Sequence, residues 1–324
     1  MKAALCKSLD GPAAVVVEEI DDPVPSAGDV IVRVHAAALN FFDTLITRGA
    51  YQTKPSLPFS PSGEIAGVVE SFGPGVSGLK IGDRVVAAVG YGGAREKIAV
   101  PAADLVPVPP SVSEVVASAV SITFGTAIHG LKDRGSVKPG ETVAVLGASG
   151  GAGQAAVEIA KLLGARVIAA TSAGKADVCR ALGADEVVDY DAPDLKQRLK
   201  DLTGGRGVDV VYDCVGGKYA EPAVRALAWE GRFLVVGFAA GEIPKLPLNL
   251  LMLKGAAAIG VYWGEAVRRT PDRHRANMIE VLDWIADGKL TPRIHGTYPL
   301  SEIREAISVL DRREATGKVV LTLT

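Results

Sequence analysis

A glycine-rich turn in the middle of the chain has the residue types and spacing of a phosphate-binding loop. The turn, Gly147-Ala-Ser-Gly-Gly-Ala-Gly153, follows the apolar run Val143–Leu146 and precedes a stretch of helical pattern. N–H groups and the dipole at a helix start attract phosphate, and glycine lets the phosphate approach the backbone. The turn therefore predicts a dinucleotide pyrophosphate site, although Ala148 stands where the usual fingerprint has its first glycine. We assign this contact to the last five residues of the turn: Ser149, Gly150, Gly151, Ala152 and Gly153.

The end of the next strand indicates which dinucleotide fits. Sites that select NAD place Asp or Glu there, about 20 residues after the turn begins, to bind the ribose 2′-hydroxyl. This chain has Thr171-Ser-Ala-Gly-Lys175 instead. Ser172 can donate a hydrogen bond to a 2′-phosphate and Lys175 can supply positive charge, whereas a carboxylate would repel the phosphate. The segment favours NADP(H), with Asp177 as the acidic neighbour that counts against it.

The turn lies within a series in which strand patterns and helix patterns alternate. Apolar runs of strand length separated by helical stretches are typical of βαβ units and a parallel sheet. The predicted strands are Thr142–Leu146, Arg166–Thr171, Glu186–Val188, Val208–Tyr212, Arg232–Val236 and Ala256–Tyr262. The helices predicted between them are Gly151–Leu163, Lys175–Leu182, Asp194–Leu202 and Tyr219–Ala228. The series predicts an α/β fold of the Rossmann type, a doubly wound parallel sheet that binds ligands at the carboxyl ends of its strands.

The first third of the chain has a β-rich pattern instead. Gly and Pro punctuate short alternating segments such as Val30–His35, Ile65–Glu70 and Arg84–Ala88. A chain of 324 residues fits two domains. We place the β-rich domain at 1–120, the cofactor domain at 121–263, and a tail at 264–324 that returns to the first domain. The elements predicted in the tail are the helices Arg275–Ala286 and Ser301–Arg312 and the strand Lys318–Leu323.

Composition excludes several classes of function. The net charge is −2 and no polybasic run occurs, so we expect no nucleic-acid partner and no anionic membrane surface. The three cysteines form no close pair, which argues against a disulfide framework or a cysteine-rich zinc site. No signal peptide or membrane-spanning run is visible. We therefore expect a cytoplasmic protein.

Several segments together resemble the medium-chain dehydrogenase/reductase superfamily, in its zinc-free, zeta-crystallin-like quinone oxidoreductase branch. The resemblance spans nearly the whole chain, and its combination of motifs is specific although each motif alone is not. Besides the glycine turn, the segments that carry it are Ala38–Asp43, Pro61–Gly67, Ile81–Val85, Phe124–Ala127, Tyr212–Gly216 and Gly317–Leu321. The resemblance implies a GroES-like, β-rich substrate domain, a Rossmann cofactor domain and an active site in the cleft. It also implies a homodimer joined at the cofactor-domain edge strand, around Ala256–Tyr262.

The same comparison points away from a catalytic metal. Zinc-dependent relatives carry a Cys ligand where this chain has Asn40, and a Gly-His-Glu motif where it has Ser62-Gly63-Glu64. The histidines, His35, His129, His274 and His295, lack the spacing of a ligand set. We expect hydride transfer without a metal, to acceptors such as quinones that take hydride readily.

The resemblance assigns roles to further residues. Tyr51 lies where relatives place a tyrosine beside the nicotinamide, and it either donates a hydrogen bond or proton to the acceptor or only packs over the cofactor. Asn40 and Thr126 are expected to contact substrate or the nicotinamide ribose, with loop and helix capping as the alternative. Cofactor contacts are also assigned to Tyr190, Val215, Phe238, Ala239, Val261, Tyr262, Trp263 and Lys318.

Three functions fit these features. The leading hypothesis is NADPH-dependent reduction of quinones. A second is reduction of an enone or enoyl thioester on the same scaffold, with Tyr51 as proton donor. A third is a non-enzymatic NADPH-binding protein, because the same fold can occur in proteins that do not catalyse a reaction. The sequence does not show the shape of the acceptor pocket, so it leaves the acceptor open.

Overall fold

The computed structural model describes residues 1–323 and divides the chain into two compact units. The first unit contains Met1–Ile122 together with the chain from Val267 onward, and the second contains Thr123–Ala266. Each unit has its own hydrophobic core. Among residues 1–323, no helix has the length and apolar character that crossing a membrane requires.

The first unit is built on a mainly antiparallel sheet with a separate hairpin. The hairpin pairs Lys2–Cys6 with Val15–Glu19. The strands of the main sheet, in spatial order, are Ile294–Pro299, Lys318–Thr322, Asp29–Leu39, Glu64–Phe72, Arg84–Ala88 and Val106–Pro107, and Lys97–Pro101 also pairs with Asp29–Leu39. The α-helices of this unit are Phe41–Ile46, Glu114–Ser118, Pro271–Ala286 and Ile303–Asp311.

The longest strand, Asp29–Leu39, organises this unit. It pairs with Glu64–Phe72 on one side, and at its carboxyl end with Lys318–Thr322, where Val319 stands opposite Leu39. The C-terminal tail thus adds two strands to the N-terminal sheet, Lys318–Thr322 and, beside it, Ile294–Pro299. Buried apolar residues of these strands and of the helix Ile303–Asp311 form one core. The pairing brings residues far apart in sequence to one end of the sheet.

The second unit is a six-stranded parallel sheet with helices in its connections. Its strands, in spatial order, are Glu186–Asp189, Arg166–Thr171, Thr142–Leu146, Val208–Asp213, Leu227–Val235 and Ala257–Gly260. Its α-helices are Thr123–Ile128, Gly151–Leu162, Ala176–Ala181, Leu195–Asp201, Ala220–Arg225 and Asn249–Met252, with a π-helix at His129–Arg134. A further helix, Trp263–Arg269, contains the unit boundary. The strand order is that of the Rossmann fold, which confirms the predicted fold class.

Two neighbouring predictions in this unit are each wrong at one end: the helix Tyr219–Ala228 and the strand Arg232–Val236. The sequence pattern extended a helix from Tyr219 to Ala228, but the helix ends at Arg225 and a strand begins at Leu227. Leu227 pairs with Val208, so pairing with the neighbouring strand overrides the local helical pattern there.

Candidate functional site

The glycine turn joins the central strand Thr142–Leu146 to the helix Gly151–Leu162. Gly150 is the N-cap of this helix, so the N–H groups of Gly151 and Ala152 belong to its first turn and have no acceptor within it. A Cβ atom on Gly150 would meet nothing closer than the Gly147 oxygen at 3.5 Å. The protein therefore leaves open the space above Gly150, as a phosphate site requires.

Gly153 is a glycine for a different reason. A Cβ atom there would lie 2.1 Å from the Gly147 oxygen and 2.7 Å from the Ala148 Cα atom. The helix packs against the turn too closely for any side chain at this position. The two glycines thus differ: the close packing of the helix on the turn requires Gly153, whereas Gly150, at the N-cap, leaves open space in front of the helix start.

Ser149 is held inside the turn. Its hydroxyl accepts a hydrogen bond from Thr171 Oγ1 at 2.7 Å, and its carbonyl accepts one from Gln154 Nε2 at 2.7 Å. Thr171 is the last residue of the neighbouring strand. These contacts couple the turn to the segment predicted to bind the 2′-phosphate.

That segment, Ser172 to Lys175, forms a short 3₁₀ turn after the second strand and is partly exposed. The carboxylate of Asp177, the acidic neighbour, forms an ion pair with Arg180 at 2.7 Å. No Asp or Glu stands at the end of this strand, where NAD-selective sites carry one. The local charges therefore fit a phosphorylated ribose.

Tyr190 lies beside this segment. Its backbone N–H donates to the Thr171 oxygen at 3.2 Å, and its ring lies 4.6 Å from the ring of Tyr219. The Tyr219 hydroxyl donates to Asp191 at 2.5 Å, and Lys218 lies 3.3 Å from the same carboxylate. Burial and the bond to Asp191 raise the pKa of Tyr219.

Sequence reasoning missed Lys218, Tyr219 and Asp191, although the glycine pair before Lys218 was a usable signal. Gly216 and Gly217 both have positive φ angles, of 68° and 56°. They turn the chain sharply after the fourth strand and bring Tyr219 against Tyr190. The aromatic pair lies at the carboxyl edge of the sheet, where a ligand of this fold binds.

The remaining cofactor candidates follow other strands of the same sheet. Val215 is buried, and its N–H donates to the buried Asp213 carboxylate at 2.8 Å, a group whose pKa burial raises. Phe238 packs over Gly216, at whose position a Cβ atom would lie 2.9 Å from Phe238 Cδ1. Val261 is buried, whereas Phe238, Ala239 and Tyr262 are exposed.

Trp263 packs against the helix that contains Thr126 in the second unit. Within the helix Thr123–Ile128, Thr126 is the residue whose side chain is not buried. A Cβ atom on Gly125 would lie 2.9 Å from the Trp263 indole nitrogen, so Trp263 packs against the helix beside Thr126.

In the first unit, Asn40 belongs to a buried polar cluster. Its Nδ2 donates to Glu64 Oε1 at 2.9 Å, and its Oδ1 accepts from the Lys318 ammonium, which also donates to Glu64 Oε1 at 2.6 Å. Ile122 N donates to the other Glu64 oxygen at 2.8 Å. We assigned Lys318 to the cofactor, but its ammonium is bound to Asn40 and Glu64, a role that the sequence did not suggest.

A second buried carboxylate lies behind Asn40. Asp43 accepts hydrogen bonds from the N–H groups of Asn40 and Ser62, both at 2.8 Å. Burial raises the pKa of Asp43 to about 7, against the lowering effect of these two hydrogen bonds. Asp43 thus fixes the backbone of Asn40, at the N-cap of the helix Phe41–Ile46, while Glu64 and Lys318 fix its side chain.

Tyr51 follows this helix and is partly buried. Its ring stacks on Phe42, with centroids 5.2 Å apart. Phe42 in turn touches the backbone at Gly63, where a Cβ atom would lie 2.6 Å from Phe42 Cζ. The structure therefore connects Tyr51 to the Asn40 region through one aromatic contact.

The residues of this region do not fit a zinc ion. Gly63 stands at the histidine position of the zinc motif, and a side chain there would collide with Phe42 and with the Gly90 oxygen at 2.9 Å. The Asn40 and Glu64 side chains are already bound to a lysine ammonium. Within residues 1–323, no three His, Cys, Asp or Glu side chains form a group able to hold a metal.

Two family models match successive parts of this chain. Residues 26–110 match the alcohol dehydrogenase GroES-like domain family, and residues 151–287 match the family described as zinc-binding dehydrogenase. Quinone oxidoreductase-like protein 2 of Bos taurus is 38% identical over 324 residues, or 99% of this chain and 92% of that protein.

Two solved structures are similar over essentially the full chain. A probable oxidoreductase from Mycobacterium abscessus is 37% identical with a TM-score of 0.90, covering 100% of this chain and 99% of that one. Escherichia coli quinone oxidoreductase, solved in complex with NADPH, is 29% identical with a TM-score of 0.91, covering 100% of both chains.

Proposed function

Because the chain belongs to the quinone oxidoreductase type of the medium-chain dehydrogenase/reductase family, we propose that it reduces quinones with NADPH and without a metal ion. The observation that carries the proposal is the buried carboxamide of Asn40, bound to Lys318 and Glu64. This region presents an amide donor instead of a Lewis acid. An acceptor that takes hydride without metal activation suits such a site, and quinones are of that kind.

The cofactor is NADP(H), and the second unit supplies the residues that we propose hold it. The first-turn N–H groups of Gly151 and Ala152 bind the pyrophosphate over the open face of Gly150. Ser172 and Lys175 bind the 2′-phosphate, and the ring of Tyr190 packs beside it. Thr126 and Trp263 contact the nicotinamide end. When bound, the cofactor supplies a hydride.

In the first unit we propose that Asn40 and Tyr51 contact the acceptor. The Asn40 carboxamide donates a hydrogen bond to the acceptor oxygen, which gains negative charge as hydride arrives. A quinone that accepts a hydride and a proton becomes a hydroquinone. The Tyr51 hydroxyl either supplies that proton or orients the acceptor, and its stacking on Phe42 holds the ring for both roles.

Rates of NADPH oxidation with a panel of acceptors test this proposal. The panel contains benzoquinone, naphthoquinone, cyclohexenone and crotonyl-CoA. We expect the largest kcat/KM values with the quinones. Turnover confined to crotonyl-CoA would instead support the enoyl-thioester reductase, and tight NADPH binding without turnover of any acceptor would support the binding protein.

We also propose a homodimer joined at the edge of the six-stranded sheet. The strand Ala257–Gly260 is the outer strand of that sheet, and most of its residues are exposed. Large apolar side chains are also exposed near this strand. Trp229 lies on the neighbouring strand Leu227–Val235, and Leu248, Met252 and Leu253 precede the edge strand in the sequence. An unpaired edge with apolar neighbours favours pairing with another chain.

We also propose a cytoplasmic location. The three unpaired cysteines are in keeping with a reducing compartment of this kind.

A further inference from the structure

The cluster of Asn40, Glu64 and Lys318 contains two charged side chains, and burying them costs desolvation free energy. The Glu64 side chain is fully buried and that of Lys318 is 6% exposed, with their charged atoms 2.6 Å apart. A buried ion pair contributes little net stability, because desolvation offsets its attraction, and an apolar pair often serves as well. Stability alone therefore does not account for this pair.

The pair does fix the orientation of the Asn40 carboxamide. The amide oxygen faces the Lys318 ammonium, which can only donate, and the amide nitrogen faces the Glu64 carboxylate, which accepts. The reversed amide would place NH₂ against NH₃⁺ and oxygen against a carboxylate. The two charges thus permit a single orientation.

That orientation leaves one hydrogen of the amide nitrogen unused by the hydrogen bonds to Glu64 and Lys318. The Asn40 residue is 8% exposed, so a small part of it is accessible to solvent. Its backbone is held separately by Asp43. Side chain and main chain are therefore both constrained before any acceptor binds, which is what a preorganised donor requires.

We propose that Lys318, together with Glu64, is a positioning residue that holds the Asn40 carboxamide in the orientation that donates to the acceptor. This inference rests on the proposed role of Asn40 in acceptor reduction. Lys318 acts through Asn40 and does not itself contact the acceptor. The ammonium lies within hydrogen-bond distance of both Asn40 Oδ1 and Glu64 Oε1, so a fixed cation of the protein holds the amide oxygen.

A double-mutant cycle between Lys318 and Asn40 tests whether Lys318 affects the reaction rate through Asn40. Lys318→Met removes the charge but keeps most of the volume, and Asn40→Ala removes the group that it positions. We expect each single variant to lower kcat for naphthoquinone by about tenfold to 100-fold, because misplacement of a catalytic group costs that much. The double variant should lose no more than Asn40→Ala alone.

NADPH affinity, stability and a matched lysine provide the controls. The dissociation constant of NADPH, measured by fluorescence, should change less than about threefold in Lys318→Met, since the residues that we propose bind the cofactor belong to the second unit. Lys97→Met removes a lysine paired with Asp22 and Glu70 in the same unit, and it should leave kcat unchanged. If Lys318→Met unfolds, Lys318→Met with Glu64→Gln removes both buried charges and allows the same comparison.

An NMR measurement tests the positioning without reference to activity. In protein labelled with ¹⁵N-asparagine, the carboxamide signals of Asn40 are those absent from Asn40→Ala. We expect two well-separated, sharp proton signals in the wild type and broadened or averaged signals in Lys318→Met.

The outcomes distinguish the positioning role of Lys318 from the proposed contact of Asn40 with the acceptor. Unchanged Asn40 signals in Lys318→Met would overturn the positioning role, as would a normal kcat in that variant or losses that simply multiply in the double variant. A normal kcat in Asn40→Ala would instead overturn the proposed role of Asn40 and leave the NMR result to decide on Lys318.

Discussion

The carbonyl oxygen of Gly147 lies 2.1 Å from the point that a Cβ atom on Gly153 would occupy, whereas a Cβ atom on Gly150 would be 3.5 Å from the same oxygen. The two glycines of one motif therefore have different physical roles. Gly153 permits close packing of the helix on the turn, and Gly150 leaves room for a ligand. This difference makes the cofactor assignment testable by two otherwise identical substitutions.

Gly150→Ala should fold normally and bind NADPH poorly. Its unfolding free energy should fall by about 1 kcal/mol, since alanine is a poorer N-cap than glycine, while the NADPH dissociation constant rises by about tenfold or more. Gly153→Ala should lose about 2 kcal/mol or more of stability through overpacking. Urea unfolding and fluorescence titration measure both quantities. Equal NADPH affinity in Gly150→Ala and wild type would place the phosphates elsewhere.

Lys175→Asp tests the choice between NADP(H) and NAD(H). A carboxylate at this position should weaken NADPH binding by about tenfold to 100-fold, the value of a hydrogen bond to a charged group, and change NADH binding little. Lys196→Asp, on the partly exposed helix Leu195–Asp201, is the charge-matched control. If Lys175→Asp weakened both cofactors equally, Lys175 would not bind the 2′-phosphate.

Tyr51→Phe and Tyr51→Ala separate the hydroxyl of Tyr51 from its ring. Phenylalanine keeps the stacking on Phe42, and alanine removes it. We expect Tyr51→Ala to lower kcat/KM for naphthoquinone about tenfold more than Tyr51→Phe, since the ring positions the acceptor. A loss in Tyr51→Phe as large as that in Tyr51→Ala would assign the effect to the hydroxyl, and proton donation would then be its role.

Asp43 predicts a specific dependence of stability on pH. Its pKa is about 7 in the folded protein and near 3.8 in the unfolded chain, so between these values the folded state binds more protons. This contribution to stability is present below about pH 4 and is lost as the pH rises towards 7. Asp43→Asn is less stable overall, because it cannot accept both N–H bonds, but it should lack this pH-dependent loss. Urea unfolding of wild type, Asp43→Asn and the exposed control Asp10→Asn across this range tests it, and parallel curves for the first two would contradict it.

Charge at the sheet edge should disrupt the proposed dimer. Ala258 lies in the middle of the edge strand and Leu253 is 66% exposed. Light scattering should give twice the 33.5 kDa mass of the chain for the wild type and the single mass for Ala258→Lys combined with Leu253→Lys. A wild type of single mass would rule out the dimer, and an intact dimer in the variant would place the interface elsewhere.

The cofactor unit could be predicted closely because its signals are local. Strand Arg166–Thr171 has the predicted bounds, and helix Gly151–Leu162 ends one residue earlier than expected. Apolar periodicity and the glycine turn determine these elements over a few residues of sequence. The predicted end of helix Ala220–Arg225 was wrong because the observed end depends on the pairing between Leu227 and Val208, which is a non-local contact.

The polar cluster could not be predicted for the same physical reason. Lys318 is separated from Asn40 by 278 positions and from Glu64 by 254, and no local pattern records their contact. The resemblance identified Asn40 as a site residue and pointed to Lys318, but only the pairing of the last strand with Asp29–Leu39 brings their side chains together. The aromatic pair Tyr190 and Tyr219 likewise depends on how two strand ends meet.

The central claim is NADPH-dependent quinone reduction without a metal, and the rate of NADPH oxidation by naphthoquinone in chelator-treated protein tests it most directly. The protein is dialysed against a chelator, its metal content is measured by mass spectrometry, and the rate is compared with that of untreated protein. We predict equal rates before and after treatment, with less than one metal ion in ten chains. No oxidation above the enzyme-free rate, or activity that returns only when zinc is added, would contradict the account.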